Sequence, residues 1–174
     1  MPTRLLDWSE GPLAAIFFAV SGALNFHHKN LRDKTNPNSS EATCCALYVL
    51  DIGIGSRLSS KVWNHRSDGA SLHVAKIPSG NNANIASQLG VFTYIRERIY
   101  EGKVRKYNAH CNFLSESGHS RYLKRILIPY SIILEVYEGL EHLGVNCSTI
   151  YPDLYGAAKS AKLRSLIDEI SHNS

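Results

Sequence analysis

The sequence predicts a mixed α/β (α+β) domain in which a small sheet packs against a buried N-terminal helix and two C-terminal helices. Three observations carry that prediction. Residues 13–20, Leu-Ala-Ala-Ile-Phe-Phe-Ala-Val, are apolar at every position, which marks a helix buried on every side rather than along one stripe. The run 43–52 is rich in apolar residues, 72–77 alternates and 123–128 ends in Ile-Leu-Ile, and Gly53, Pro78 and Pro129 close them as short strands are closed. Residues 130–143 and 149–170 then carry helical signals near the C-terminus. A chain of 174 residues is long enough for one domain with a proper core.

Taken in order, Gly11 and Pro12 mark the first helix start, because Pro at the first helical position has no N–H to waste and Gly serves as N-cap. That helix is expected over 12–28, ending in a polar loop over 29–40 that contains Asn36-Pro37-Asn38. The 43–52 strand, with its Cys, Val, Leu, Tyr and Ile content, reads as buried. Gly53 and Gly55 follow it, and a turn into a short helix over 56–64 accounts for them better than a phosphate cradle lacking its third glycine. Asp68-Gly69 is a turn before the 72–77 strand. Residues 97–118 are polar, basic and without a clear period. In the 130–143 helix, Ile133, Leu134, Val136, Tyr137, Leu140 and Leu143 share a buried face, and Gly144 is its C-terminal cap. Asp153 caps the last helix.

Nineteen basic against fifteen acidic residues leave a net charge of +4. The basic residues gather at Lys61, His65 and Arg66 and at Arg96, Arg98, Lys103, Arg105 and Lys106, which solvated faces explain without a nucleic-acid partner. The four cysteines, Cys44, Cys45, Cys111 and Cys147, form no disulfide framework and read as buried, reduced thiols of a cytoplasmic protein. His110, Cys111 and His119 fall short of a closed metal site, so no metal is expected. Residues 11–28 are uncharged, but the continuous apolar run is too short to cross a bilayer. Asp7 and Glu10 disfavour a secretory signal, so no membrane association is expected.

The polar group before the first helix is the strongest candidate site. Arg4 and Asp7 stand three residues apart among Leu5, Leu6 and Trp8, and charges in such surroundings are expensive unless paired. One reading pairs Arg4 with Asp7 and makes Asp7 the acceptor at the helix start. The other makes Arg4 a binder of phosphate or carboxylate beside a helix N-terminus.

The segment Pro-Thr-Arg-Leu-Leu-Asp-Trp-Ser, followed by Pro-Leu-x-Ala-x-Phe-Phe-Ala-Val, closely resembles the heart of the FRG domain. Gln88, Gly90 and Phe92 resemble a second stretch of that family, with Asn84 where its Arg is expected. Tyr151-Pro152-Asp153-Leu154-Tyr155-Gly156 resembles a third, Tyr155 replacing an acidic residue. The resemblance implies that residues 1–174 form a single FRG-like domain whose eponymous Phe/Tyr-Arg-Gly would lie upstream, since no Arg-Gly dipeptide occurs here. It makes Thr3, Arg4, Asp7, Trp8 and Gln88 the candidate ligand-binding residues. An upstream Arg-Gly strand, a Thr-Arg…Asp turn and a later Gln are similar to the NAD-holding parts of ADP-ribosyltransferases, an analogy of fold alone. A nucleotide-type site, with NAD as its cofactor, is thus expected of the complete domain. A truncated form would be non-catalytic and prone to self-association through an exposed sheet edge. A binding or regulatory module for a protein or nucleic-acid partner is the alternative. Catalytic residues are not identified.

Overall fold

A computed structural model describes residues 5–32, 43–52, 61–64, 70–76, 78, 80, 82–96, 99–100, 103–104, 110–116 and 118–172. In chain order the elements are β1 (Leu5–Ser9), α1 (Pro12–Arg32), β2 (Cys44–Leu50), β3 (Lys61–Asn64), β4 (Ser71–Ala75), α2 (Ala83–Gln88), β5 (Gly90–Arg96), β6 (Ile99–Tyr100), β7 (Lys103–Val104), α3 (His110–Glu116), β8 (Leu123–Pro129), α4 (Ile133–His142), α5 (Cys147–Ile150) and α6 (Leu154–His172). The mixed α/β class is observed. The elements divide between two compact units: Met1–Trp8, Tyr48–Pro78 and Gly90–Ile126 in the first, Ser9–Leu47, Ser79–Leu89 and Leu127–Ser174 in the second.

In the first unit a four-stranded sheet has the order β1-β5-β4-β3. Strands β4 and β5 are antiparallel, with Leu72 opposite Ile95, His73 opposite Tyr94 and Val74 opposite Thr93. Strand β3 is antiparallel to β4, with its register shifting between Lys61 and Trp63. Ala70 and Leu72 pack with Phe113 and Leu114 of α3 in a small core that Leu50, Ile95 and Leu123 border. Alternation explains the burial of β5: Val91 and Thr93 point inward while their neighbours are half-exposed.

In the second unit the core is helical. Ala14, Phe17, Val20 and Leu24 of α1 meet Ile133, Tyr137 and Leu140 of α4, Cys147 and Ile150 of α5, and Leu163, Leu166 and Ile170 of α6. Cys45 of β2 and Ile128 of β8 border the same core. The start of α1 is built as its sequence requires: the Gly11 carbonyl accepts the Ala15 N–H at 3.0 Å, with Pro12 at the first helical position. At the end of α4, Gly144 has φ +77°, its N–H donates to Glu141 and the Val145 N–H donates to Leu140. Those paired bonds are a Schellman cap, and Val145 also packs on the core.

Several expectations are corrected. The three expected strands do not share one sheet: β4 belongs to the four-stranded sheet, while β2 and β8 pair with each other. Residues 5–9 are a strand rather than a polar turn, and 61–64 are a strand rather than the end of a helix. Helix α1 is not buried on every side; Leu13 and Phe26 are exposed, while the face through Ala14, Phe17, Val20 and Leu24 is buried and Ile16 and Phe18 are partly covered. Strand β2 is half-exposed rather than buried, with Tyr48 and Val49 open to solvent. All four thiols are free, yet only Cys147 is buried. Leu143 is exposed and does not join the buried face of α4. Gly53, Gly55, Asp68 and Gly69 lie outside the described residues, as does residues 33–40 of the expected loop. No described helix is long and apolar enough to cross a membrane.

Candidate functional site

The turn between β1 and α1 is held by Ser9. Its hydroxyl accepts the Gly11 N–H at 3.1 Å and has one hydrogen to give, which goes to the near carbonyl of Gln88 at 2.6 Å. Beside it, the Glu10 N–H donates to the Leu89 carbonyl at 3.0 Å. Space at this turn is tight, since a Cβ on Gly11 would stand 3.0 Å from Leu89 Cδ1.

Helix α2 carries the connection onward. Asn82 caps it by accepting the Ile85 N–H, and Leu89 ends it in the left-handed region at φ 49°. Ser87 Oγ and Gln88 Nε2 both reach the carbonyl of Ile150, at 2.9 and 3.3 Å. One turn earlier, Asn84 Nδ2 donates to Asp153 Oδ2 at 3.3 Å. Asp153 Oδ1 accepts the Gly156 N–H at 3.0 Å, so the carboxylate caps α6 and receives α2 with its other oxygen. Segments 9–11, 84–89 and 150–156 are therefore tied together within the second unit.

Those bonds give Asp153 its electrostatics. The Gly156 N–H, then Asn84, hold its carboxyl below the ordinary value of 3.8. A depressed folded value means the contribution to stability is present above the unfolded pKa and is lost as pH falls through the folded one. Asp153→Asn keeps a capping acceptor without a titrating group. The fall of the thermal midpoint below about pH 4 should accordingly be shallower in that variant. An acid limb identical to that of the unsubstituted chain would show that Asp153 does not contribute to it.

A second polar group lies in the first unit. Trp8 Nε1 donates to Thr93 Oγ1 at 2.8 Å, and Thr93 is only 2% exposed. His110 bonds to the Thr93 backbone; burial pushes its imidazole below the ordinary value, and that bond works in the opposite direction. The Nε2 of His110 is buried without a hydrogen-bond partner among the described residues. Nearby on β4, Ser71 Oγ and His73 Nε2 lie 2.8 Å apart and the His73 ring stacks on Tyr94. Among the described residues no three His, Cys, Asp or Glu side chains gather as metal ligands would.

Of the candidate residues, Thr3 and Arg4 lie outside the described residues. Asp7 is exposed in β1, and its side chain makes no hydrogen bond or ion pair with a described residue. It does not cap α1; Ser9 and Gly11 shape that turn instead. Asp7 and Trp8, as neighbours in a strand, point to opposite faces. Gln88 is half-buried and spends its amide on the backbone of Ile150. Sequence reasoning passed over Ser9 and Thr93 and weighed His110 only as a metal ligand; Ser9 had a signal, the side-chain bond that Ser makes two residues ahead of a helix start. Because Asp7 is exposed, Asp7→Ala should shift stability by no more than about 0.5 kcal/mol. A drop in thermal midpoint worth several times that would show that Asp7 has a buried partner after all.

Residues 1–28 of the 174 match the family model of the FRG domain. No curated protein and no solved structure matches the chain. The matched segment contains the Ser9–Gly11 turn and most of α1, while Gln88 and Asp153 lie outside it.

Proposed function

We propose that this chain, similar to the FRG domain over its first 28 residues, is a non-catalytic binding or regulatory module. The reading is carried by one observation: Ser9, Gln88 and Asp153, from three separate segments, are spent on holding those segments together, Asp153 through Asn84. A side chain whose donors or acceptors are already spent within the protein is poorly placed to greet a ligand with the same atoms. Both compact units belong to one FRG-like domain in this reading, and its partner is a protein rather than a nucleic acid. Its four free thiols suit a cytoplasmic site of action.

A nucleotide reading has a narrower support. Asp7 presents an exposed carboxylate on β1, a suitable acceptor for ribose hydroxyls, with Thr3, Arg4 and Trp8 beside it in sequence. Calorimetric titration of NAD into the chain and into Asp7→Asn separates the two readings. The module reading expects no saturable heat from either protein. Saturable NAD binding that Asp7→Asn abolishes would overturn it and place a nucleotide at β1.

A further inference from the structure

We infer that the first turns of α6 are a docking surface for an acidic segment of a partner protein, one carrying aliphatic or aromatic anchors. This rests on the reading of the chain as a binding module and adds a surface that the motif residues do not supply. Leu154 is 90% exposed and Tyr155 61% exposed, side by side at the start of the helix. Tyr155 stands edge-on to Tyr151 with ring centroids 5.4 Å apart, so the two rings form one aromatic step. Lys159 Nζ donates to the Tyr151 hydroxyl at 2.9 Å and lies 4.3 Å from the Tyr151 ring centroid and 5.8 Å from that of Tyr155. A cation is thereby fixed against the apolar step.

Charge supplies the sign of the partner. Lys162 lies one turn beyond Lys159 and is exposed; Arg164, also exposed, falls on the far side of the helix from Lys162. Between Leu154 and Ile167 the helix carries three cations and no acid. Asp153, just before the span, has its oxygens turned to the Gly156 N–H and to Asn84, and Asp168, just after it, stands one turn beyond Arg164 and away from the Leu154–Tyr155 end. An apolar contact rimmed by lysine is complemented by carboxylates around an aliphatic or aromatic side chain. Tyr155 could stack a base, but Lys159 and Lys162 are too few to track a phosphate backbone, and Leu154 beside it suits an aliphatic contact. Three cations also fall short of the cluster of about four to eight that recruits an anionic membrane.

The test is fluorescence anisotropy with a fluorescein-labelled peptide in which Glu alternates with Leu and Phe. Saturable binding is expected, weakened about tenfold by Lys162→Glu and similarly by Leu154→Ser, and weakened further by salt. Both variants should keep the thermal midpoint of the unsubstituted chain, since both side chains are exposed. Absence of saturable binding overturns the inference. So does binding of oligo-dT or phosphatidylserine vesicles in place of the peptide, with the same sensitivity to Lys162→Glu. Peptide binding that neither substitution alters overturns this surface while leaving the module reading intact, whereas a chain that takes NAD and no peptide overturns both.

Discussion

Gly156→Ala should destabilise the protein by about 3 kcal/mol or more, lowering the thermal midpoint by roughly 6 °C or more. The reason is backbone crowding where α5 hands over to α6. A Cβ on Gly156 would overlap the Tyr151 carbonyl oxygen, and it would stand 2.9 Å from the Tyr151 carbonyl carbon and 3.0 Å from the Cys147 carbonyl oxygen. None of these is the end of a flexible side chain, so relief requires the backbone itself to move. Moving it would also disturb the Gly156 N–H bond to Asp153 and, through Asn84, the seat of α2. The glycine of the Tyr-Pro-Asp-Leu-x-Gly stretch thus has a physical reason to be glycine. Thermal unfolding that leaves the midpoint within a degree or so would contradict the close approach.

Phe17→Ala should cost about 3–5 kcal/mol, the range for emptying a buried aromatic site. Phe17 is 0% exposed, and its ring lies 6.3 Å from that of Tyr137, itself 1% exposed. Both belong to the core formed with Leu163 and Leu166 of α6, so the cavity would open at the meeting of three helices. Phe17→Leu, which leaves less empty volume, should lose less. Amide exchange in α1, α4 and α6 should quicken together in the Ala variant. Acceleration restricted to α1 would mean that the helices do not share this core.

These two residues also show how far the sequence was legible. Phe17 sits in a run whose apolar density announced a buried helix, and α4 announced itself by spacing and by Gly144. The extent of burial was not legible, because an apolar residue such as Leu13 remains exposed when no neighbour reaches it. Strand β1 was hidden because Leu-Leu-Asp-Trp-Ser has neither alternation nor length. Strand β5 was obscured by reading Gln88, Gly90 and Phe92 as a motif, although Val91 and Thr93 alternate as inward residues do. Which strands would pair was beyond local pattern, since pairing joins residues far apart in the chain.

The candidate site was legible in its side chains but not in its partners. Gln88 and Asp153 stood out by resemblance, and Asp153 by its place before a helix. Their partners are largely backbone: the carbonyl of Ile150 and the N–H of Gly156, while Ser9 reaches the carbonyl of Gln88. Backbone groups are the same at every residue, so no residue type advertises them. Asn84 is the instructive case. Lacking the charge of the expected Arg, it still finds Asp153 and donates to it as a neutral amide.

Gln88 is a brace, and thermal unfolding of Gln88→Ala measured beside the NAD titration tests that role. Losing the amide bond to Ile150 should lower stability by about 1 kcal/mol, a fall of roughly 2–4 °C in the midpoint, with the NAD titration identical to that of the unsubstituted chain. An unchanged midpoint accompanied by loss of a saturable NAD signal would contradict it and make Gln88 a ligand-binding residue.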